Sequence, residues 1–281
     1  MVKIEGQVAH ACIPVLQRIT KYLRMKTKKE IVDDWLPRYT GTTLEEFGDF
    51  ILLTNFNSYL DLFSKWFGVE IKGKDKAMPS VTHERITLIN FGMGSPNAAT
   101  IMDLLSAIGP KAALFLGKCG GLKKKCKVGD MIVPIAAIRG DGTSDDYFHE
   151  RVPALPAFNL QKIMSTVIHN HRKDYWTGTV YTTNRRVWEY DEQFKEQLRE
   201  TRAIAIDMES ATLFMVGFAN EIPTGAVLLV SDQPMVGRGI KTQASDKRVT
   251  QKFAEEHLKI GVETMKDLIE KKLLVKHLRF D

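Results

Sequence analysis

Cysteine is scarce in this chain: its 281 residues hold three, Cys12, Cys119 and Cys126. An odd and sparse set excludes a disulfide-stapled scaffold and fits a reducing compartment, so the expected location is the cytoplasm. The spacing of Cys119 and Cys126 is not that of zinc ligands, and His169-Asn170-His171 has no further ligand-type residues nearby. No metal is therefore expected. No run of eighteen apolar residues occurs, which argues against a membrane-spanning helix. The N-terminus lacks the apolar stretch of a secretory signal. Linkers and internal repeats are also missing, so residues 1–281 read as one domain with an N-terminal helical segment over 1–36. Charge of one sign is only mildly in excess, at a formal +6. The lysines are dispersed, and the Lys123-Lys124-Lys125 cluster has no interleaved aromatics to stack bases, so nucleic acid is not an expected partner.

What is present is a regular alternation. Residues 14–35 read as a helix that Pro37 should break. A strand at 50–54, a helical stretch at 59–67 and a lysine-rich surface loop at 68–80 follow. Further strands are expected at 86–91, 112–116, 131–138, 177–181, 203–206 and 225–230, with helices at 96–108, between the last two strands, and over 252–274. Strands alternating with helices argue for an α/β sheet covered on both faces.

Five motifs sit at the carboxyl ends of these strands, where an α/β sheet keeps its ligands. In Gly92-Met93-Gly94-Ser95-Pro96, Ser95 is a good N-cap and Pro96 suits a first helical turn. The glycines let backbone amides approach a ligand, although an empty βα turn has the same pattern. Cys119-Gly120-Gly121 reads as a second such turn, with Lys118 as a nearby cation. No histidine motif supports Cys119 as a nucleophile. In Thr182 to Glu189, Arg186 would suit a phosphate and Trp188 an aromatic ring, or the segment is a capped helix start with a core tryptophan. Finally, Ala205-Ile206-Asp207-Met208-Glu209-Ser210-Ala211 presents Glu209 where a helix begins, and Gly225 to Val230 ends in Ser231-Asp232. Each acid alone could be a helix-start or turn residue. Together they suit a site where one grips hydroxyls and the other moves a proton.

These motifs resemble the nucleoside phosphorylase superfamily, through the Gly-Met-Gly loop, the Cys-Gly-Gly turn with Val128-Gly129-Asp130, and the Met208-Glu209 and Ser231-Asp232 pairs. Within it the chain looks most like the catalytic part of bacterial AMP nucleosidases. Arg38-Tyr39-Thr40-Gly41, Leu53-Thr54-Asn55, Asn90-Phe91-Gly92, Ser95-Pro96-Asn97-Ala98, Thr182-Thr183, Trp188-Glu189 and Glu256 to Gly261 carry that likeness. The resemblance implies a three-layer α/β/α sandwich around a central mixed sheet. It implies hydrolysis of the N-glycosidic bond of a purine nucleotide, with neither cofactor nor metal, by a homo-oligomer, with a trimer of dimers among the arrangements. Two departures are notable. Long AMP nucleosidases carry an N-terminal region that this chain mostly lacks. Phe115, Lys118 and Thr54-Asn55-Phe56 stand where related phosphorylases hold inorganic phosphate, which tilts the expectation towards hydrolysis.

The roles carried over are specific. A protonated Asp232 would serve N7 of the base, and Glu209 the ribose 2′- and 3′-hydroxyls above an apolar floor at Met208. Arg38, Lys118 and Arg186 would hold the 5′-phosphate. Ser231, Gly92, Met93, Gly94, Gly120 and Trp188 complete the expected substrate site. The rival expectations are a purine nucleoside phosphorylase, another purine nucleosidase, and a non-catalytic nucleotide-binding protein of the same fold.

Overall fold

The structure is a computed structural model that describes residues 25–237 and 239–271. Eight strands make one mixed sheet: β1 (Phe50–Thr54), β2 (Ser80–His83), β3 (Ile86–Asn90), β4 (Ala112–Gly121), β5 (Met131–Gly140), β6 (Tyr175–Thr183), β7 (Ala205–Asp207) and β8 (Thr224–Asp232). Their order is β2-β3-β1-β4-β7-β6-β5-β8. The long β4 also pairs in parallel with β8, so β4, β8, β5, β6 and β7 close on themselves. Parallel pairs β1–β3, β1–β4, β4–β8, β5–β6 and β6–β7 are joined by antiparallel β2–β3, β4–β7 and β5–β8.

Seven α-helices flank the strands among the described residues: α1 (Lys28–Thr40), α2 (Asn57–Phe67), α3 (Ser95–Leu105), α4 (Phe158–Asn170), α5 (Glu192–Glu200), α6 (Ser210–Ala219) and α7 (Gln243–Glu270). The central strands are apolar on both faces because both are covered. Ile51, Leu53, Ile89 and Phe115 pack with residues of α1, α3 and α6. Leu52, Leu88, Leu114 and Leu116 pack on the other side with α2, α4 and α7. Alternate residues of a strand point to opposite faces, so this sorting fixes where each later side chain emerges.

Several expected boundaries move. Pro37 does not end α1: it lies in the last turn, where its ring removes a single hydrogen bond, and Gly41 (φ +72°) closes the helix by donating to the Pro37 carbonyl. Residues 14–24 of the expected first helix and 272–274 of the last lie outside the described residues. The supposed loop at 68–80 leads into β2, an edge strand paired to β3. Helices α4 and α5 were not anticipated, and α7 begins at Gln243, ahead of Lys252. Cys119-Gly120-Gly121 is strand and not turn. Gly120 is needed there for close approach: a Cβ would sit 3.0 Å from the Pro234 ring.

Candidate active site

The glycine loop after β3 is bent by backbone that only glycine adopts readily, with φ +83° at Gly92 and +94° at Gly94. Gly94 caps α3. Ser95 is the first helical residue, not the cap expected of it, and its hydroxyl donates to the Met208 carbonyl at 2.8 Å. This contact joins the start of α3 to the start of α6. The free Gly94 N–H then donates to Glu209 Oε1 at 2.8 Å. Asn55, just after β1, adds its Nδ2 to the same oxygen at 3.4 Å, and the Met208 N–H donates to Oε2 at 3.2 Å. Glu209 is therefore held by groups following β1, β3 and β7.

Glu209 is 2 % exposed. Burial, with Asp207 adding repulsion, pushes its carboxyl up to about 8 against those three donors. Asp207 is itself buried and raised for the same first reason. Its two oxygens accept from the Thr182 hydroxyl at 2.7 Å and the Ser210 N–H at 2.9 Å. Asp232 ends β8 and is 8 % exposed. Burial raises its carboxyl too, opposed by Ser231, whose hydroxyl lies 2.6 Å from Oδ1, and by Lys241.

Glu209 and Asp232 line one cavity at the carboxyl ends of the strands, together with Met93, Lys118, Gly120, Arg186, Trp188, Met208 and Ser231. Three expected residues are not on its wall, and one of them, Gly94, meets the site only through its N–H to Glu209. Gly92 bends the loop through its positive φ. Arg38, at the end of α1, is mostly exposed, pairs with Asp34 at 3.6 Å and lies over the Trp35 ring, so within this chain it is not brought to the cavity. Trp188 lines the cavity and is also core, packed edge-on against Phe194. Arg186 is half-exposed with Glu189 at 3.6 Å as its ion-pair partner.

The cavity also draws in residues that sequence reasoning left out of the site: Asn55, Phe56, Cys119, Thr183, Arg185, Glu189, Ile206, Asp207, Pro234 and Lys241. Asp207 stood inside the motif that flagged Glu209 and was readable from it. Lys241 carried no local signal, because only the path from β8 to α7 returns it to the strand ends. Among the described residues, no group of three or more His, Cys, Asp or Glu side chains could hold a metal ion.

Residues 49–271 match the phosphorylase superfamily. The chain is 30% identical over 273 residues to the AMP nucleosidase of Escherichia coli, a match covering 81% of this chain and 56% of that protein. It thus spans little more than half the length of the curated relatives it matches. A solved AMP nucleosidase from Bacteroides thetaiotaomicron is 56% identical, with a TM-score of 0.79 over 88% of this chain and 99% of that one. A uridine phosphorylase from Vibrio fischeri, 18% identical with a TM-score of 0.71 over 80% and 94% of the two chains, shares the fold. Sheet order, helical layers and these matches agree, and the chain belongs to the phosphorylase superfamily.

Proposed function

We propose that this chain hydrolyses the N-glycosidic bond of AMP, releasing adenine and ribose 5-phosphate. One observation carries the reading: Glu209 and Asp232, both buried acids, face a single cavity that is also lined by Lys118, Arg185, Arg186 and Lys241. Two proteins named AMP nucleosidase among the relatives support it.

Breaking the C1′–N9 bond leaves positive charge on the ribose and an electron pair on the base, and rate acceleration requires stabilising both. Asp232 serves the base. Burial raises its carboxyl above the usual carboxylate range, which favours the protonated form that the donation to N7 requires. In that protonated form the Ser231 hydroxyl is released from Asp232 and donates to the Cys119 carbonyl, 3.2 Å away, so the pair stays satisfied. Glu209 accepts the 2′- and 3′-hydroxyls, and these bonds tighten as the ring becomes cationic. Met208 and Met93 supply apolar surface beside the sugar. For the 5′-phosphate, Arg186 is the best placed of the expected cations, because Lys118 is occupied elsewhere and Arg38 lies off the cavity.

Base release from AMP and from adenosine, each with and without inorganic phosphate, tests the reading. Adenine with ribose 5-phosphate from AMP in the absence of phosphate is expected, and Asp232→Asn should lower that rate about a hundredfold or more. Cleavage that needs phosphate and yields a sugar 1-phosphate would make the chain a phosphorylase. No release under any condition would leave a nucleotide-binding protein. The homo-oligomer implied by the resemblance and the cytoplasmic location implied by the sparse cysteines belong to this same proposal.

A further inference from the structure

Lys118 is a buried cation beside the cavity whose donors are already engaged. Its side chain is 3 % exposed. Nζ donates to Asp246 Oδ1 at 3.1 Å and to the Thr250 hydroxyl at 2.7 Å, and lies 4.2 Å from the centroid of the Phe56 ring. Lys241 pairs with the same Asp246 oxygen at 3.6 Å. Both lysines line the cavity, whereas Asp246 stands behind them in the first turn of α7. There its negative charge also complements the helix dipole. Burial works against the Asp246 carboxylate, but Lys241 and Lys118 outweigh it and hold the carboxyl below its usual range. Asp246 is therefore ionised at neutral pH.

With Asp246 the cluster carries a net charge of about +1, and without it neither lysine keeps this carboxylate partner. Two unpaired ammonium groups facing a polar cavity are a ready site for a tetrahedral oxyanion. The place of this cluster matters for the chemistry. Lys118 leaves β4 on the side of Leu114 and Leu116, towards α2 and α7, and Glu209 enters from the start of α6 on the opposite side. A ribose anchored at Glu209 thus has the Lys118 cluster across the cavity from its hydroxyls.

Building on the hydrolase reading above, we infer that Asp246 is a specificity-determining residue: by occupying Lys118 and Lys241 it keeps inorganic phosphate out of the nucleophile's place and leaves the attack to water. In hydrolysis the C1′–N9 bond breaks with its electron pair leaving on the base, which gains the proton of Asp232. A water oxygen bonds to C1′ and gives up a proton, restoring the balance. Were phosphate seated at the lysines, its oxygen would bond to C1′ instead, and AMP would give ribose 1,5-bisphosphate. Asp246 touches neither substrate nor nucleophile; it acts through the two lysines.

The test is Asp246→Asn in the full chain, which keeps the shape and removes the charge. The competitive inhibition constant of inorganic phosphate against AMP should fall at least tenfold relative to the parent. Lys118→Met combined with Asp246→Asn should return it to the parent value. Stabilisation of each variant by phosphate relative to chloride, read as a shift in melting temperature, gives the same comparison without turnover. Asp246→Ser serves if the Asn variant does not fold. An unchanged phosphate constant in the folded variants overturns the inference. So does a lowered KM for AMP with phosphate affinity unchanged, since the cluster would then be reading the substrate's own phosphate. A parent chain that itself requires phosphate defeats the hydrolase reading; a hydrolytic parent with phosphate-blind variants defeats only the role of Asp246.

Discussion

Glu209 must accept sugar hydroxyls as a carboxylate, yet it sits where burial favours its protonated form. The three donors from Gly94, Asn55 and Met208 offset part of that penalty, and an incoming ribose adds two more hydroxyl donors. The buried carboxyl therefore carries a pH signature. Glu209 is raised from an ordinary 4.5 to about 8. Between about pH 6.5 and 8 the unfolded chain has lost this proton and the folded chain still holds it. The folded state binds more protons there, so its stability falls as pH rises through that window. His257, lowered by burial to about 4, acts with the opposite sign only below its ordinary 6.5. His171, where Glu263 and Glu256 outweigh burial and raise the ring, has the same sign as Glu209 and remains after substitution. Melting curves of Glu209→Gln should accordingly fall less steeply than the parent's between those pH values. Identical slopes would show that Glu209 is already ionised in the folded chain measured without substrate.

At the scale of elements, helix α7 does more than cover the sheet. His257 on its inner face donates from Nε2 to the Val227 carbonyl of β8 at 3.0 Å, and its Nδ1 accepts from the Tyr59 hydroxyl of α2 at 2.8 Å. Held neutral by burial, the ring can fill both roles at once. It ties together three elements that frame the strand end bearing Asp232. Truncating it leaves the Tyr59 hydroxyl and the Val227 carbonyl dry and opens a void. His257→Ala should cost about 2–4 kcal/mol in urea denaturation. A loss below about 0.5 kcal/mol would mean water enters and replaces both bonds. Elements differed in how readable they were for similarly local reasons. The apolar run Gly225 to Val230 announced β8, because buried parallel strands need no alternation. Strand β2 is short, at an edge and half-exposed at Thr82 and His83, so it looked like loop. Helix α5 buries only Phe194 and Leu198, too few apolar residues for its period to stand out. At Gly120-Gly121 the glycines suggested a turn, but close packing by Pro234 and Cys126 is what requires them.

Among the described residues of the whole molecule, several large apolar side chains are exposed around one seam. The bridge Ala137–Ala154 brings the segment before α4 against β5, and around it Ile135 is 59 % exposed, Leu155 55 % and Phe158 77 %. Single exposed apolar residues are common, whereas a cluster of large ones is a mark of an interface. This agrees with the oligomer implied by the resemblance. Sedimentation of the purified chain should give a species larger than the monomer, and Phe158→Glu should shift it towards the monomer. A parent that sediments only as a monomer would remove the oligomer from the proposal.

The sequence by itself determined the alternation of strands and helices, the family, and the two acids Glu209 and Asp232. Each of these is written locally, in apolar runs of strand length and in motifs at their ends. The assembly of the site was decided only by the tertiary structure. It excluded Arg38 from the cavity of its own chain, brought in Asn55, Asp207 and Lys241, and turned Lys118 from a free cation into the partner of Asp246, 128 residues away in the chain. The physical reason is range. Backbone propensity and burial pattern act over a few residues, whereas the charge balance of a cavity depends on which strand ends and helix starts the closed sheet brings together.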